Sequence, residues 1–310
     1  MKKSVKVTTA ALCAIMLASP LATHVNATES DVYISSGEFT SEKARISSYS
    51  GNDYTDLTEK AFASVRIMLD GRDVVSGQGR IINSVTYVPL RAFCDALGGA
   101  SISWDQPTRT ARVTASGLTV YAKQGALYLQ ANDRYFYTVE PIANIEGSLF
   151  VPIRPLAKAF GIELEWSNEQ RAVILQSGGR KPASGASFYK DDEVLWMARI
   201  IHAESAGEPF NGKIAVGNVV LNRVRSPQYP NTIYGVIFDR KHGTQFSPVS
   251  FGTIYNNPSA ESVIAAKICL EGYTLSSEAL FFMNPRLATT SWIAQNRPYL
   301  FTIGNHLFYS

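Results

Sequence analysis

The chain has 310 residues, with 45% hydrophobic and 18% charged side chains and a formal net charge of +3. That length suits two ordinary domains, and the composition is that of folded protein rather than of a disordered tail. The small charge and the lack of a dense Lys/Arg block exclude a nucleic-acid-binding surface, which needs clustered cations to meet phosphates.

Lys2, Lys3 and Lys6 precede an apolar or small stretch at 8–21, broken by Pro20, and Val25-Asn26-Ala27 has the small-x-small form of a cleavage site. This predicts a signal peptide over 1–27 and a secreted product with no membrane span after cleavage, acting at the cell wall or spore envelope. Leu12 ahead of Cys13 is too bulky for a lipoprotein signal, so no lipidation is expected. Residues 28–62 are rich in Ser, Thr, Glu and Asp and read as a flexible leader. Cys94 and Cys269 fall in different predicted domains, so no structural disulfide is expected between them.

Residues 63–176 repeat themselves. Tyr87-Val88-Pro89-Leu90-Arg91 returns as Phe150-Val151-Pro152-Ile153-Arg154, 63 positions later. Ala96-Leu97-Gly98, Trp104-Asp105 and Ala111-Arg112-Val113 return as Ala159-Phe160-Gly161, Trp166-Ser167 and Ala172-Val173-Ile174. Each copy reads as strand, Pro-initiated helix, Gly stop, Trp-bearing strand, turn and strand, so the pair predicts an α+β domain of two βαββ-like copies. The doubled V-P-x-R pattern resembles the copper amine oxidase N-terminal-like domain, which implies a stalk or wall-binding module. The block has no His, the commonest copper ligand. Tyr87, Phe150, Trp104 and Trp166 are expected in the core, as strand aromatics usually are, with a wall-binding face as the alternative. A Gly-, Ser- and Pro-rich stretch at 177–188 reads as a linker.

The last block, 189–310, opens with a predicted helix capped by Asp191 or Asp192 and stopped by Gly207. Val194, Met197, Ile201 and Glu204 share one stripe of it. A Glu on an otherwise apolar stripe is costly unless it is paired or functional. Desolvation and the negative end of the helix dipole both favour its protonated form, which is what a general acid needs. The structural alternative is an ion pair with Arg199 or Lys213. A second helix over 211–225 carries Gly217, whose cost of about 1 kcal/mol inside a helix points to a close approach at that position.

The run from Ala203 through Glu204, Gly207, Glu208, Pro209, Gly212, Lys213, Gly217, Asn218, Asn222 and Arg223 resembles the SleB/CwlJ-type cell-wall hydrolases. The likeness continues through Gln245-Phe246-Ser247, Phe282-Met283-Asn284-Pro285 and Ile303-Gly304-Asn305-His306. It implies a mainly helical, lysozyme-like catalytic domain. It also implies a lytic transglycosylase or muramidase acting between N-acetylmuramic acid and N-acetylglucosamine of peptidoglycan or spore cortex glycan, without cofactor or metal. The family's catalytic Glu falls on Glu204, and Gln245, Phe246, Asn284, Asn305 and His306 fall at substrate-lining positions.

A retaining hydrolase needs a second carboxylate about 5 Å away, and Glu208, Asp239, Glu261, Glu271 and Glu278 are the candidates. None sits in an obvious catalytic motif, so a one-acid reaction closing a 1,6-anhydro ring is the leading expectation. Two rival readings stand beside it. One is a zinc-dependent amidase using His202, His242 and His306. The other is an inactive wall-binding or spore structural protein. Cys269 lies in an apolar helical run and reads as core.

Overall fold

The computed structural model describes residues 31–33, 43–45, 63–178, 183–241, 243–288 and 290–310. The signal-peptide expectation lies outside them, as does most of the 28–62 leader, within which β1 (Asp31–Tyr33) and β2 (Lys43–Arg45) pair antiparallel. Two compact units form, one over 52–190 and one that includes 191–310.

In the first unit, strands β3 (Ala63–Leu69), β4 (Arg72–Asp73), β5 (Gly79–Ile82) and β6 (Val85–Pro89) lead into helix α1 (Leu90–Leu97). The hairpin β7 (Ser101–Asp105) and β8 (Thr110–Ala115) follows, then β9 (Leu118–Lys123), β10 (Tyr128–Ala131) and β11 (Arg134–Tyr137). The second passage runs through β12 (Ala143–Ile145), β13 (Ser148–Pro152), α2 (Ile153–Phe160), β14 (Glu163–Ser167) and β15 (Ala172–Gln176). Pro89 and Pro152 stand at the N-caps of the two helices, and Gly98 and Gly161 end them. Five strands make a sheet in the order β11-β10-β9-β8-β7. The larger sheet runs β12-β13-β6-β5-β3-β15-β14, with β4 paired to β3. β15 lies parallel to β3, and the other pairs in these two sheets are antiparallel. Both helices feed one apolar core, where Phe93 of α1 meets Phe160 of α2 edge to face at 5.4 Å.

Tyr87 and Phe150 are buried as expected, but the two tryptophans are not: Trp104 is 42% exposed and Trp166 is 43% exposed. Each occupies an edge strand, β7 or β14. Each indole N–H donates to the residue two positions on, Trp104 to Gln106 Oε1 at 2.7 Å and Trp166 to Asn168 Oδ1 at 2.9 Å. With its one polar atom satisfied, each ring can stay at the surface.

Within the stretch read as a linker, α3 (Gly185–Phe188) packs on the first unit. The Gly185 N–H donates to the Asn132 carbonyl at 2.7 Å, and the Arg134 guanidinium lies 3.7 Å over the Phe188 ring.

The second unit holds α4 (Asp191–Ser205), α5 (Phe210–Arg225), α6 (Ile233–Ile237), α7 (Ser247–Phe251), α8 (Ala260–Leu270) and α9 (Trp292–Asn296), with a 3-10 turn over Thr253–Tyr255. A small antiparallel sheet, β16 (Phe281–Met283), β18 (His306–Tyr309) and β17 (Tyr299–Ile303) in that order, completes it. α5 is the central rod. It is buried almost all round, with α4, α6 and α8 packed on it. Five of its buried side chains are polar, and the donors of three of them hold the segment after α8. Asn218 donates to Tyr273 O at 2.9 Å, Asn222 to Ser276 O at 2.8 Å and Ala279 O at 3.0 Å, and Arg223 Nε to Leu280 O at 2.8 Å. Buried carbonyls need such partners. Cys269 and Cys94 are both free and buried, and burial pushes their thiols up, Cys94 to about 12.

The close approach expected at Gly217 is present. A Cβ there would lie 2.7 Å from Cys269 Sγ and 2.9 Å from Ile201 Cδ1. Gly217→Ala gains about 1 kcal/mol of helix propensity but loses ~1–3 kcal/mol to overpacking. A net loss of about 1 kcal/mol is therefore expected in the urea transition of the C-terminal unit. An unchanged or raised midpoint would show that the contact yields freely.

Candidate active site

Glu204 is the penultimate residue of α4, below Met197 and Ile201, which are fully buried on the same stripe. The residue as a whole is half-buried. Its surroundings are dense enough that burial pushes the group up to about 7 from an ordinary 4.5, with the positive charge of Arg223 pulling the other way. Among the described residues no hydrogen bond or salt bridge reaches the carboxylate. The structural alternative therefore fails. Lys213 pairs with Glu261 at 2.9 Å and donates to the Glu208 carbonyl at 2.5 Å, and Arg199 lies over the Trp196 ring at 5.0 Å.

Arg223 was not singled out from the sequence. Its guanidinium is buried and lies 5.1 Å from the ring centroids of Tyr229 and Phe246 and 5.4 Å from that of Phe281. Such cation–π contacts hold a buried guanidinium where no carboxylate is paired with it. The sequence signal is weak: Arg223 stands near a helix end, where charged side chains are usually exposed, and only the packing of α5 on every side buries it.

The other predicted residues divide. Phe246 is buried and lies between Arg223 and Phe282, the latter 6.5 Å away. Phe282 in turn meets His306 at 5.2 Å. Asn305 grips the Glu208 carboxylate, its backbone N–H donating to Oε2 at 2.9 Å and its Nδ2 to Oε1 at 3.1 Å. A side chain on Gly304 would collide with that carboxylate, so glycine is required at this turn. Phe246, His306 and Asn305 thus belong to one cluster that reaches Arg223 at one end and Glu208 at the other. Gln245 and Asn284 are tied to their own loops, Gln245 donating to Gly243 O and Asn284 Oδ1 accepting from Arg286 N.

Burial pulls His306 below its ordinary value and Glu208 opposes the shift. The Nδ1 atoms of His202 and His306 are buried with no acceptor or donor among the described residues. Among those residues no group of three or more His, Cys, Asp or Glu side chains is placed to hold a metal; His242, the third member of the zinc reading, lies outside them. Of the candidate second carboxylates, Glu208 and Glu261 are occupied by Asn305 and Lys213, and Asp239 makes its charge felt at Arg223.

The family model for cell wall hydrolases matches residues 207–309, and that for the copper amine oxidase N-terminal domain matches 68–175. The spore cortex-lytic enzyme of Bacillus cereus is 38% identical over 120 residues, 39% of this chain and 45% of that protein. The Bacillus subtilis spore cortex-lytic enzyme is 36% identical over 120 residues, 39% of this chain and 38% of that protein. The chain therefore spans less than half the length of these curated relatives. Among solved structures, the catalytic domain of the germination-specific lytic transglycosylase SleB from Bacillus anthracis is 38% identical, covering 39% of this chain and 97% of that one, with a TM-score of 0.36. The C-terminal unit is thus similar to the cell wall hydrolase family, and the N-terminal unit to the copper amine oxidase N-terminal domain.

Proposed function

We propose that the protein cleaves the glycan strands of peptidoglycan between N-acetylmuramic acid and N-acetylglucosamine as a lytic transglycosylase, with Glu204 as its acid and then its base. The observation that carries this reading is the place of Glu204 at the end of α4, unpaired and below the buried Met197 and Ile201, where burial pushes its carboxyl up to about 7. In the first half-reaction its proton goes to the glycosidic oxygen as the bond to muramic acid C1 breaks. In the second, the carboxylate takes the proton from the muramic acid 6-hydroxyl while that oxygen bonds to C1. The product is a 1,6-anhydro ring, and no water is consumed. The engagement of Glu208 and Glu261 favours this one-acid route over a retaining hydrolase.

Phe246, His306 and Asn305 line or brace the site in this reading, and Gln245 and Asn284 shape the loops beside it. The C-terminal unit is taken as lysozyme-like and the N-terminal one as a duplicated βαββ module. The relatives named for the spore cortex support spore cortex glycan as the substrate, with action in the cell wall or spore envelope. For the N-terminal unit, the exposed Trp104 and Trp166 favour wall binding over a passive stalk, because each offers a flat apolar face to a sugar ring.

Three outcomes follow. Glu204→Gln should abolish release of soluble glycan, and mass spectrometry of wild-type products should find anhydromuramic ends. Products that have gained water would refute the transglycosylase route, and an active Gln variant would refute the acid. Stability should also report the buried carboxyl. Its folded value, about 7, lies above the ordinary 4.5, so the native state holds the extra proton and stability falls as pH rises through that window. Glu204→Gln should therefore stabilise the unit by roughly 2–3 kcal/mol at pH 8 and by little at pH 5, measured by urea unfolding. Finally, Trp104→Ala combined with Trp166→Ala should cut co-sedimentation with purified peptidoglycan several-fold at unchanged melting temperature. Undiminished binding would return the first unit to a spacer.

A further inference from the structure

We propose that four aromatic side chains of the C-terminal unit form a platform for a stretch of the peptidoglycan strand away from the scissile bond, with Arg199 beside them as the seat for a carboxylate of that strand. This rests on the reading of the protein as a peptidoglycan-cleaving enzyme. Trp196 of α4, Tyr234 of α6, Phe238 at the C-cap of α6 and Tyr255 of the 3-10 turn make one cluster. Trp196 meets Tyr234 at 5.4 Å, Phe238 at 5.2 Å and Tyr255 at 6.1 Å, and Tyr234 meets Phe238 at 4.4 Å. Rings gathered in this way ordinarily fill a core. Here Tyr234 is 54% exposed and Tyr255 59% exposed, while Trp196 and Phe238 are half-buried. The hydroxyls of Tyr234 and Tyr255 make no hydrogen bond among the described residues. Contiguous apolar surface left open to solvent marks a contact site.

Arg199 sets the charge of what binds there. Its guanidinium lies 5.0 Å from the centroid of the Trp196 ring. It pairs with no carboxylate among the described residues, and its Nε is buried with no acceptor among them. A guanidinium stacked on a ring keeps its fork for an anion, and a carboxylate meets that fork with two hydrogen bonds. α6 and the 3-10 turn add no charged side chain, and the Asp239 carboxylate accepts from the Lys241 N–H at 2.9 Å. The ligand that fits has flat apolar faces for the rings, hydroxyl or amide groups for the two tyrosines and a carboxylate for the arginine. A peptidoglycan strand has all three: sugar rings, their hydroxyls and acetamido groups, and the free carboxylates of the peptides carried on muramic acid. Trp196 stands eight positions before Glu204 on α4, which sets it about 12 Å away along the helix axis. A glycan polymer is long enough to lie at both points.

The test is calorimetric titration of the full chain carrying Glu204→Gln, Trp104→Ala and Trp166→Ala, so that neither turnover nor the tryptophans of the first unit contribute. The two probes are soluble peptide-bearing peptidoglycan strands and a neutral N-acetylglucosamine oligomer. Adding Tyr234→Ala and Tyr255→Ala should weaken both by roughly tenfold, the scale of two lost ring contacts. The melting temperature should hold, because both side chains are largely exposed. Adding Arg199→Gln instead should weaken only the peptide-bearing strands, and the salt dependence of their binding should shrink. Unchanged affinity for both probes in the folded tyrosine variant would overturn the platform and leave these rings as a face for a protein partner. Equal weakening of both probes by Arg199→Gln would overturn the carboxylate seat. If the double tyrosine variant does not fold, Tyr255→Ala alone decides in the same way. Failure here is separable from failure of the acid: a dead Glu204→Gln beside unchanged tyrosine variants sinks only the platform, and an active Glu204→Gln sinks the acid while the titration still decides the platform.

Discussion

A carboxyl group at the inner end of an apolar helix stripe must be neutral, paired or solvated, and in the C-terminal unit burial pushes Glu204 up to about 7. Met197 and Ile201 remove water from one side, α5 closes another, and no described side chain ion-pairs with it. Arg223, whose charge opposes the rise at Glu204, is itself tied to the Leu280 carbonyl and to three rings. A free Arg–Glu contact would have produced an ordinary ion pair and an ionised carboxylate. Burial without a paired cation raises the Glu204 carboxyl to about 7, the property that the proposed acid needs.

The surroundings of Glu204 depend on α5, which packs against α4. The helix is buried on every side, which would be costly for Asn218, Asn222 and Arg223 if they lacked partners. The segment over 273–280 supplies them, carbonyl by carbonyl, and is thereby fixed against the helix. β16 follows directly and brings Phe281 to Arg223 and Phe282 to His306. The residues that shape the acid's surroundings are therefore spread over a hundred positions of sequence and are gathered by one polar ladder on one helix.

Much of this was legible in the sequence, for physical reasons. A stripe at helical spacing located Glu204, and a glycine inside a helix announced the close approach at Gly217, where Cys269 and Ile201 crowd in. The repeat of V-P-x-R marked two helices that do share a core. What escaped were properties set by tertiary surroundings. Arg223 looks like a surface residue near a helix end, and only packing on all sides makes it buried. Glu208 looked like a spare carboxylate, and only the β17–β18 turn shows it gripped by Asn305. Trp104 and Trp166 were placed in the core because strand aromatics usually are. They lie on edge strands, with their indole N–H groups satisfied locally, and remain outside it.

The account stands or falls on the protonation of one group. The direct measurement is a carbon-detected NMR titration of the chain labelled at glutamate carboxyls, with Glu204 assigned by comparison with Glu204→Gln. A Glu204 carboxyl titrating near 7, well above its exposed counterparts, is the predicted result. Titration near the ordinary 4.5 would show a solvated or ion-paired carboxylate, and the acid would have to be sought elsewhere.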